Sequence, residues 1–475
     1  MRSTKIVATL GPASDPKIKA LVAEGVDVFR LNFSHGAHEE HALRVRDIRN
    51  AARELGRYVA ILADLQGPKI RISGFGAGKT VDLTEGDDFA IDASRGDDTG
   101  NQSVVGTSYQ SLAAEVNAAD ILVLGDGLVE LLVVSTADQR VQCKVLTGGE
   151  LGAGKGINLR GGGLSAPSLT DKDVVDLNFA CSLGVDYIAV SFVRSAEDLV
   201  TAKRMIAEAG ASCAVVAKLE RAEAVKCDEV IDEIIKASDA VMVARGDLGI
   251  EIGDAALMGM QKHIIARARE LNRCVITATQ MMESMIVNSQ PTRAEVMDVA
   301  NAVLDGTDAV MLSGETAVGR YPVETVAAMV RVIEGAESSS HVTPAASLGY
   351  DCTEIDESVA LAAMTLAERL DGVRAVACLT ASGNTPKLMS RTRSRLPIYA
   401  LADNALTLAR VALLRGVHPR LFETDQIDYD LINEAAINSL VIDGAVAAGD
   451  RVILSKGDYR NVQGGTNTLK IMEVA

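Results

Sequence analysis

Eight short apolar runs recur along the chain, separated by stretches with the periodicity of amphipathic helices. They are KIVATLG (5–11), DVFRLNFS (27–34), YVAILADL (58–65), DYIAVSFV (186–193), CAVVAKLE (213–220), AVMVARGD (240–247), CVITATQM (274–281) and AVMLSGET (309–316). Each is too short and too uniformly apolar for an antiparallel strand with one solvated face. Strands covered on both faces read this way. The intervening segments have helix starts of capping-box form, Ser195 to Asp198 and Thr292 to Glu295. Eight strand–helix units is the number that closes a (β/α)8 barrel.

The connection between the third and fourth runs departs from this rhythm. It spans about 120 residues, and segments such as KTVDLTEGDDFAI and DILVLGDGLVELLVV run short or alternate between Gly/Asp turns. A small all-β domain is expected there, entered at Gly67-Pro68 and left near Pro167. An excursion of that size from the catalytic face of a barrel is placed to act as a lid. Beyond residue 340 new strand–helix units begin (AVACLT, PIYALA, DRVILSKG) after a linker SSSHVTPAAS, predicting a separate open α/β domain. The expected fold class is α/β. Residues 1–66 and 167–340 form a (β/α)8 TIM barrel, 67–166 an inserted β-rich lid, and 341–475 a C-terminal α/β domain.

Composition narrows the function. At 475 residues, 48% hydrophobic and 23% charged, the chain can bury several cores. The net charge of −17 is spread along the sequence and argues against nucleic acid as a partner. No apolar stretch approaches the ~18 residues of a membrane span. The seven cysteines lie far apart without a CxxC pair, which fits a reducing compartment and gives no zinc pattern. The start MRSTKIVATLG lacks a signal-peptide core. A cytoplasmic location is expected.

In such a barrel the chemistry sits at the carboxyl ends of the strands. Those ends carry Asn32 and Ser34, Asp64, Ser191 and Phe192, Lys218 and Glu220, Arg245 and Asp247, Thr279 and Gln280, Ser313 and Glu315. Polar residues follow any buried strand into solvent, but chance would scatter them over both rims. Glu220 and Asp247 can ligate Mg²⁺, which takes one or two carboxylates and fills its shell with water and phosphate oxygens. Gly246 lets a small anion approach the backbone. Lys218 could stabilise a transferring phosphoryl group or an enolate oxygen. Arg30 and Arg71 add guanidinium forks suited to phosphate and carboxylate. Thr279 could bind a substrate carboxylate or help deliver a proton through water.

These residues lie in motifs that resemble pyruvate kinases: TKIVATLGPAS (4–14), RLNFSHG (30–36), DLQGPKIR (64–71), AKLER (217–221), VARGDLGIEI (243–252), TATQMMESM (277–285), AEVMDVANAVLDGTDAVMLSGETAVGRYP (294–322) and TNTLKI (466–471). The match runs in order over essentially the whole chain and is closest to the compact bacterial form. It implies phosphoryl transfer from phosphoenolpyruvate to ADP, giving pyruvate and ATP, in a homotetramer. It also implies that Glu220 and Asp247 hold Mg²⁺, with Mn²⁺ an alternative, and that Lys218 stabilises the phosphoryl group and the enolate. Gly246, Asp247 and Thr279 would receive the carboxylate, while Arg30 and Arg71 face phosphate. Lys155 in GKGINLRG would reach nucleotide phosphate on lid closure, with Asn32 and His35 on the nucleotide side. Thr279 or a water near Ser313 would protonate enolpyruvate.

Two departures from the family pattern stand out. Many members hold a monovalent cation at positions matching Asn32, Ser34, Asp64 and the carbonyl of Leu65. Those members carry an acid where this chain has Lys69, and Thr-Lys where it has Leu65-Gln66. The Lys69 ammonium is expected to replace K⁺. Arg160 stands where the family motif has proline, which bears on the lid hinge. The loop TASGNT, with Thr380, Ser382, Gly383, Asn384 and Thr385, resembles the family's effector loop in its monophosphate form, implying a sugar monophosphate or AMP. Two other readings remain: a Mg²⁺-dependent lyase or aldolase acting on a related enolate, and a ligand sensor without turnover. The lyase would need neither a lid carrying Lys155 nor an effector-like domain. The sensor would have lost Lys218, Glu220, Asp247 or Thr279.

Overall fold

The computed structural model describes residues 2–76, 79–339, 352–425, 427–458 and 464–475. Most of the anticipated linker falls in 340–351, outside the described residues. Eight parallel strands close into a barrel: β1 (Lys5–Thr9), β2 (Val28–Asn32), β3 (Ala60–Asp64), β4 (Tyr187–Val190), β5 (Ala214–Leu219), β6 (Ala240–Ala244), β7 (Cys274–Ala278) and β8 (Ala309–Leu312). β1 pairs with both β2 and β8, so the closed sheet has no free edge. The strand residues of β1, β3, β6, β7 and β8 are buried throughout, which is why they carry no polar alternation. Both anticipated capping boxes form.

Each apolar run extends beyond its strand. The last one to four residues of the runs leave the ladder and turn over the barrel mouth, while Arg30, Asn32, Asp64 and Lys218 stay within the carboxyl ends of their strands. One of these ends is recast: Arg245, Gly246 and Asp247 do not finish β6 but form the first turn of a helix, Arg245–Ile252.

Between β3 and β4 the chain builds a six-stranded mixed sheet and a two-stranded one around their own apolar core, which includes Phe89, Leu122, Val141 and Ile157. A short helix, Leu112–Glu115, interrupts what the sequence suggested would be all strand. The C-terminal sheet has the order β11–β10–β9–β12–β13, with β9 (Val373–Leu379), β10 (Ile398–Ala402), β11 (Val417–Leu421), β12 (Arg451–Gly457) and β13 (Thr466–Glu473). Only the β12–β13 pair is antiparallel. This domain is tied to the bottom of the barrel by a buried fork: Arg391 donates to both carboxylate oxygens of Asp308 and, at 2.7 Å, to the carbonyl of Arg273. No helix among the described residues is long and apolar enough to cross a membrane.

Candidate active site

The carboxyl ends of β2, β3, β4 and β5, consecutive around the barrel, bring a chain of alternating charges together. Arg30 Nε donates to Asp64 Oδ2 at 2.6 Å and its Nη1 to Thr9 Oγ1 at 3.1 Å. Lys218 Nζ lies 3.4 Å from Asp64 Oδ1 and 3.3 Å from Glu220 Oε2, and donates to Ser191 Oγ at 2.7 Å. Burial pushes the Asp64 carboxyl up, but Arg30 and Lys218 outweigh it and hold it below the usual carboxylate range. Burial likewise opposes the Lys218 charge, and Asp64 with Glu220 more than offsets that, so its pKa is raised. Lys218 is therefore a fixed cation rather than a proton donor at neutral pH.

Glu220 is the exception in this network. Its Oε1 accepts from Phe192 N at 2.7 Å, while its fully buried Oε2 accepts no hydrogen bond. Burial, reinforced by Asp247 against the opposing Lys218, raises its pKa to about 7. A buried carboxylate oxygen without a hydrogen-bond donor costs free energy, and here only the Lys218 ammonium, 3.3 Å away, offsets it. The residues present therefore fit a hard divalent ion. Among the described residues no group of three or more His, Cys, Asp and Glu side chains gathers as a self-sufficient metal cage. Two carboxylates plus substrate oxygens is the arrangement that Mg²⁺ favours.

The β6 and β7 ends supply the opposite wall. Gly246 N donates to Thr279 Oγ1 at 2.9 Å, and the Thr279 hydroxyl donates to Ala278 O at 2.6 Å. Thr279, Gln280 and Phe192 all have positive φ (69°, 54° and 54°). Bulky residues adopt this region only where their surroundings hold them there. Arg245 does much of that holding: its guanidinium donates to Thr279 O at 2.6 Å and pairs with Asp298 at 2.8 Å. It is a buried anchor rather than a group open to substrate. Ser313 follows β8, and its N–H donates to Glu315 Oε2 at 2.7 Å, so Glu315 shapes this loop from within.

The lid side is looser. Lys69 Nζ lies 3.7 Å from Asp247 Oδ1 and 3.9 Å from Asp126 Oδ1. Gly67 has φ +67°, and a Cβ there would sit 2.7 Å from Ser191 Cβ, so this hinge packs against the site with no room for a side chain. Arg71 Nη1 is held at 2.8 Å by Gly154 O, next to Lys155. Of the positions matching a monovalent site, Leu65 O accepts from Ser191 Oγ at 2.7 Å and Asn32 Oδ1 from Ser34 N at 3.1 Å. Asp64 is committed to Arg30 and Lys218, while His35 is exposed on the turn after β2.

Arg160 donates its N–H to Ile121 O at 2.9 Å, a bond that proline could not make, and pairs with Glu130 inside the lid. In the C-terminal domain, Gly383 N donates to Thr380 Oγ1 at 2.9 Å, and Thr380, Ser382, Asn384 and Thr385 line a cavity of about 70 Å³ together with Lys456. Asn384 is engaged with Asp356 at 2.8 Å and Thr385 with Thr466 at 2.7 Å.

Sequence reasoning missed the fastening of the lid. Glu251, at the far end of the helix that begins with Gly246 and Asp247, accepts from Ala222 N at 2.7 Å and lies 3.6 Å from Arg221 Nε. Its own carbonyl accepts from Gly161 N at 2.9 Å, Arg221 Nη2 reaches Leu164 O at 2.7 Å, and Glu223 Oε1 takes Gly163 N at 2.6 Å. Gly162 lies against Glu223, where a Cβ would come within 2.6 Å of the carboxylate. No periodicity or spacing marks these residues, because the contacts join segments about 30 to 90 positions apart in sequence.

Comparison with known proteins agrees with the geometry. Residues 1–326 match the family model "Pyruvate kinase, barrel domain" and residues 357–472 "Pyruvate kinase, alpha/beta domain". The chain is 51% identical over 477 positions to Pyruvate kinase II of Salmonella typhimurium, covering 100% of this chain and 99% of that protein. It is 50% identical to the pyruvate kinase of Haemophilus influenzae, over 98% and 97% of the two chains. A Buchnera aphidicola pyruvate kinase is 49% identical over 100% and 99%. Members of this family generally use Mg²⁺. With a barrel, lid and C-terminal domain in family order and an ammonium set between two strand-end carboxylates, the chain belongs to the pyruvate kinase family, enzymes that convert phosphoenolpyruvate and ADP to pyruvate and ATP.

Proposed function

We propose that phosphoenolpyruvate lies across the barrel mouth with its phosphate toward Arg30 and Lys218. Its carboxylate faces the first turn of the Arg245–Ile252 helix, where the Gly246 and Asp247 amides and Thr279 converge. The observation that carries this reading is Lys218, held between Asp64 and Glu220 while one Glu220 oxygen accepts no hydrogen bond. Glu220 and Asp247 would hold Mg²⁺, which when bound supplies charge neutralisation between substrate and phosphate.

Transfer breaks the ester P–O bond and leaves negative charge on the enolate oxygen. Lys218, a permanent cation, stabilises that charge without giving up its proton. Protonation at carbon then needs another donor. Thr279 must first release Ala278 O, so a water near Ser313 is the alternative. ADP enters beneath the lid, with Arg71 and Lys155 toward its phosphates and Asn32 and His35 alongside.

Lys69 supplies the charge for which other members use K⁺ at Asn32, Ser34, Asp64 and Leu65 O, and it does so from beside Asp247, 3.7 Å away, rather than from among those four groups. The domains divide at 66/67, 166/167 and 340/341. The enzyme is cytoplasmic and assembles as a homotetramer. The loop Thr380–Thr385 takes a sugar monophosphate or AMP.

The test is pyruvate formation from phosphoenolpyruvate, ADP and Mg²⁺ in K⁺-free buffer, for wild type and Lys218→Met. Turnover in wild type and its loss in a folded variant is the expected result. A fully active Lys218→Met enzyme overturns the role of Lys218.

A further inference from the structure

The chain leaves the lid through a strap bonded to the two segments that carry Glu220 and Asp247. Arg221 follows Glu220 directly, and Glu251 stands one turn after Asp247 on the Arg245–Ile252 helix. Both side chains are buried, and Arg221 Nε lies 3.6 Å from Glu251 Oε1. Glu251 Oε2 also accepts from Ala222 N at 2.7 Å, so the end of β5 is tied to the helix. Each partner holds the strap as well. Arg221 Nη2 donates to Leu164 O at 2.7 Å, and Glu251 O accepts from Gly161 N at 2.9 Å. Glu223 completes the fastening, accepting from Gly163 N at 2.6 Å and pairing with Arg221 at 3.1 Å.

The strap can swivel where the pair cannot. Gly161, Gly162 and Gly163 have φ of +85°, +79° and +116°, a region that favours glycine, and hinges absorb backbone rotation at a few such positions. The buried pair resists separation, because pulling it apart would leave a charge without its partner away from water. A displacement at the Glu220–Asp247 site therefore passes to the strap rather than being lost in a loose loop. We propose that Arg221 and Glu251 are positioning residues that couple the filling of the Glu220–Asp247 site to the stance of the lid. The proposal rests on the reading that these two carboxylates hold the divalent ion. It assigns the coupling to the exit of the lid rather than to its entry at Gly67 and Lys69.

Limited proteolysis within 67–166 tests this on the full-length protein, with and without saturating Mn²⁺ and phosphoenolpyruvate. Metal occupancy is followed separately, by the electron paramagnetic resonance signal of free Mn²⁺. The readout is the ratio of cleavage rates in the empty and filled protein. In wild type, filling should slow cleavage about fivefold or more, the lower end of a typical coupling between two sites. In Arg221→Ala and Glu251→Gln that ratio should fall towards unity while Mn²⁺ still binds. A merely structural strap would be cut faster in both states and keep its ratio, which overturns the proposal. A wild-type ratio near unity overturns it too. So do variants that no longer fill with Mn²⁺, since the two residues would then maintain the site rather than couple it. Glu220→Gln separates this proposal from the reading beneath it. Protection lost there but kept in both strap variants overturns the coupling alone. Protection and Mn²⁺ binding that survive Glu220→Gln overturn the metal assignment and the coupling with it.

Discussion

Replacing Lys69 by glutamine isolates the charge assigned to it. Its ammonium lies 3.7 Å from Asp247 Oδ1, and both side chains are about a quarter exposed (26% and 25%). At an effective dielectric of about 20 the pair attraction is roughly 4 kcal/mol, and solvent screening at this exposure reduces it to about 1–2 kcal/mol. If that interaction is made in full only with substrate bound, kcat/KM in K⁺-free buffer should fall about 5- to 30-fold. The assay is pyruvate formation with tetramethylammonium holding ionic strength constant. Adding K⁺ should leave wild type unchanged. Lys69→Glu, which restores the acid of K⁺-dependent relatives, should be inactive without K⁺ and regain activity with it. Several-fold activation of wild type by K⁺, or a Lys69→Gln enzyme with unaltered kcat/KM, would refute the assignment.

The lid fastening gives a second expectation: Glu251→Gln and Arg221→Ala should raise KM for ADP more than for phosphoenolpyruvate and speed proteolysis within 67–166, and an unchanged ratio of the two KM values would count against it. Arg391→Met leaves Asp308 buried without its fork and should cost about 3–5 kcal/mol in urea denaturation; a loss below 1 kcal/mol would show that water replaces the pair. His418 is held neutral in the fold: burial, with Lys5 next, depresses its pKa to about 2, and Arg2, Arg420 and Asp27 also face it. A depressed histidine stabilises fully above its unfolded pKa near 6.5, and that stability is lost as pH falls below it, by up to about 2 kcal/mol at pH 5. His418→Leu should therefore flatten the decline of Tm between pH 7 and pH 5, and an identical decline would contradict the burial argument.

The barrel was legible because each strand is covered on both faces, and a strand so covered must be apolar throughout. Uniform runs such as KIVAT and AVMVA therefore announce themselves without any partner being known. The same runs end where the chain meets solvent at the mouth, so Asp64, Lys218, Glu220 and Thr279 could be found by reading strand ends. The helix in the lid was not legible, since Leu112–Glu115 is a single turn whose residues carry no periodicity.

What the sequence determined by itself is local: strand and helix identity, the inserted and C-terminal units, and the residue types at the rim. The tertiary structure decided what each of those groups is. Arg245 and Asp247 sat side by side as strand-end candidates, yet one is a buried anchor for Thr279 and the other opens a helix facing Lys69. Asp64 and Glu220 are both buried carboxylates beside Lys218, yet one is saturated by Arg30 while the other keeps an oxygen without a donor. Charge state, strain and spare hydrogen-bonding capacity depend on neighbours distant in sequence. They are fixed only when closing the barrel forces those neighbours within a few ångströms of one another.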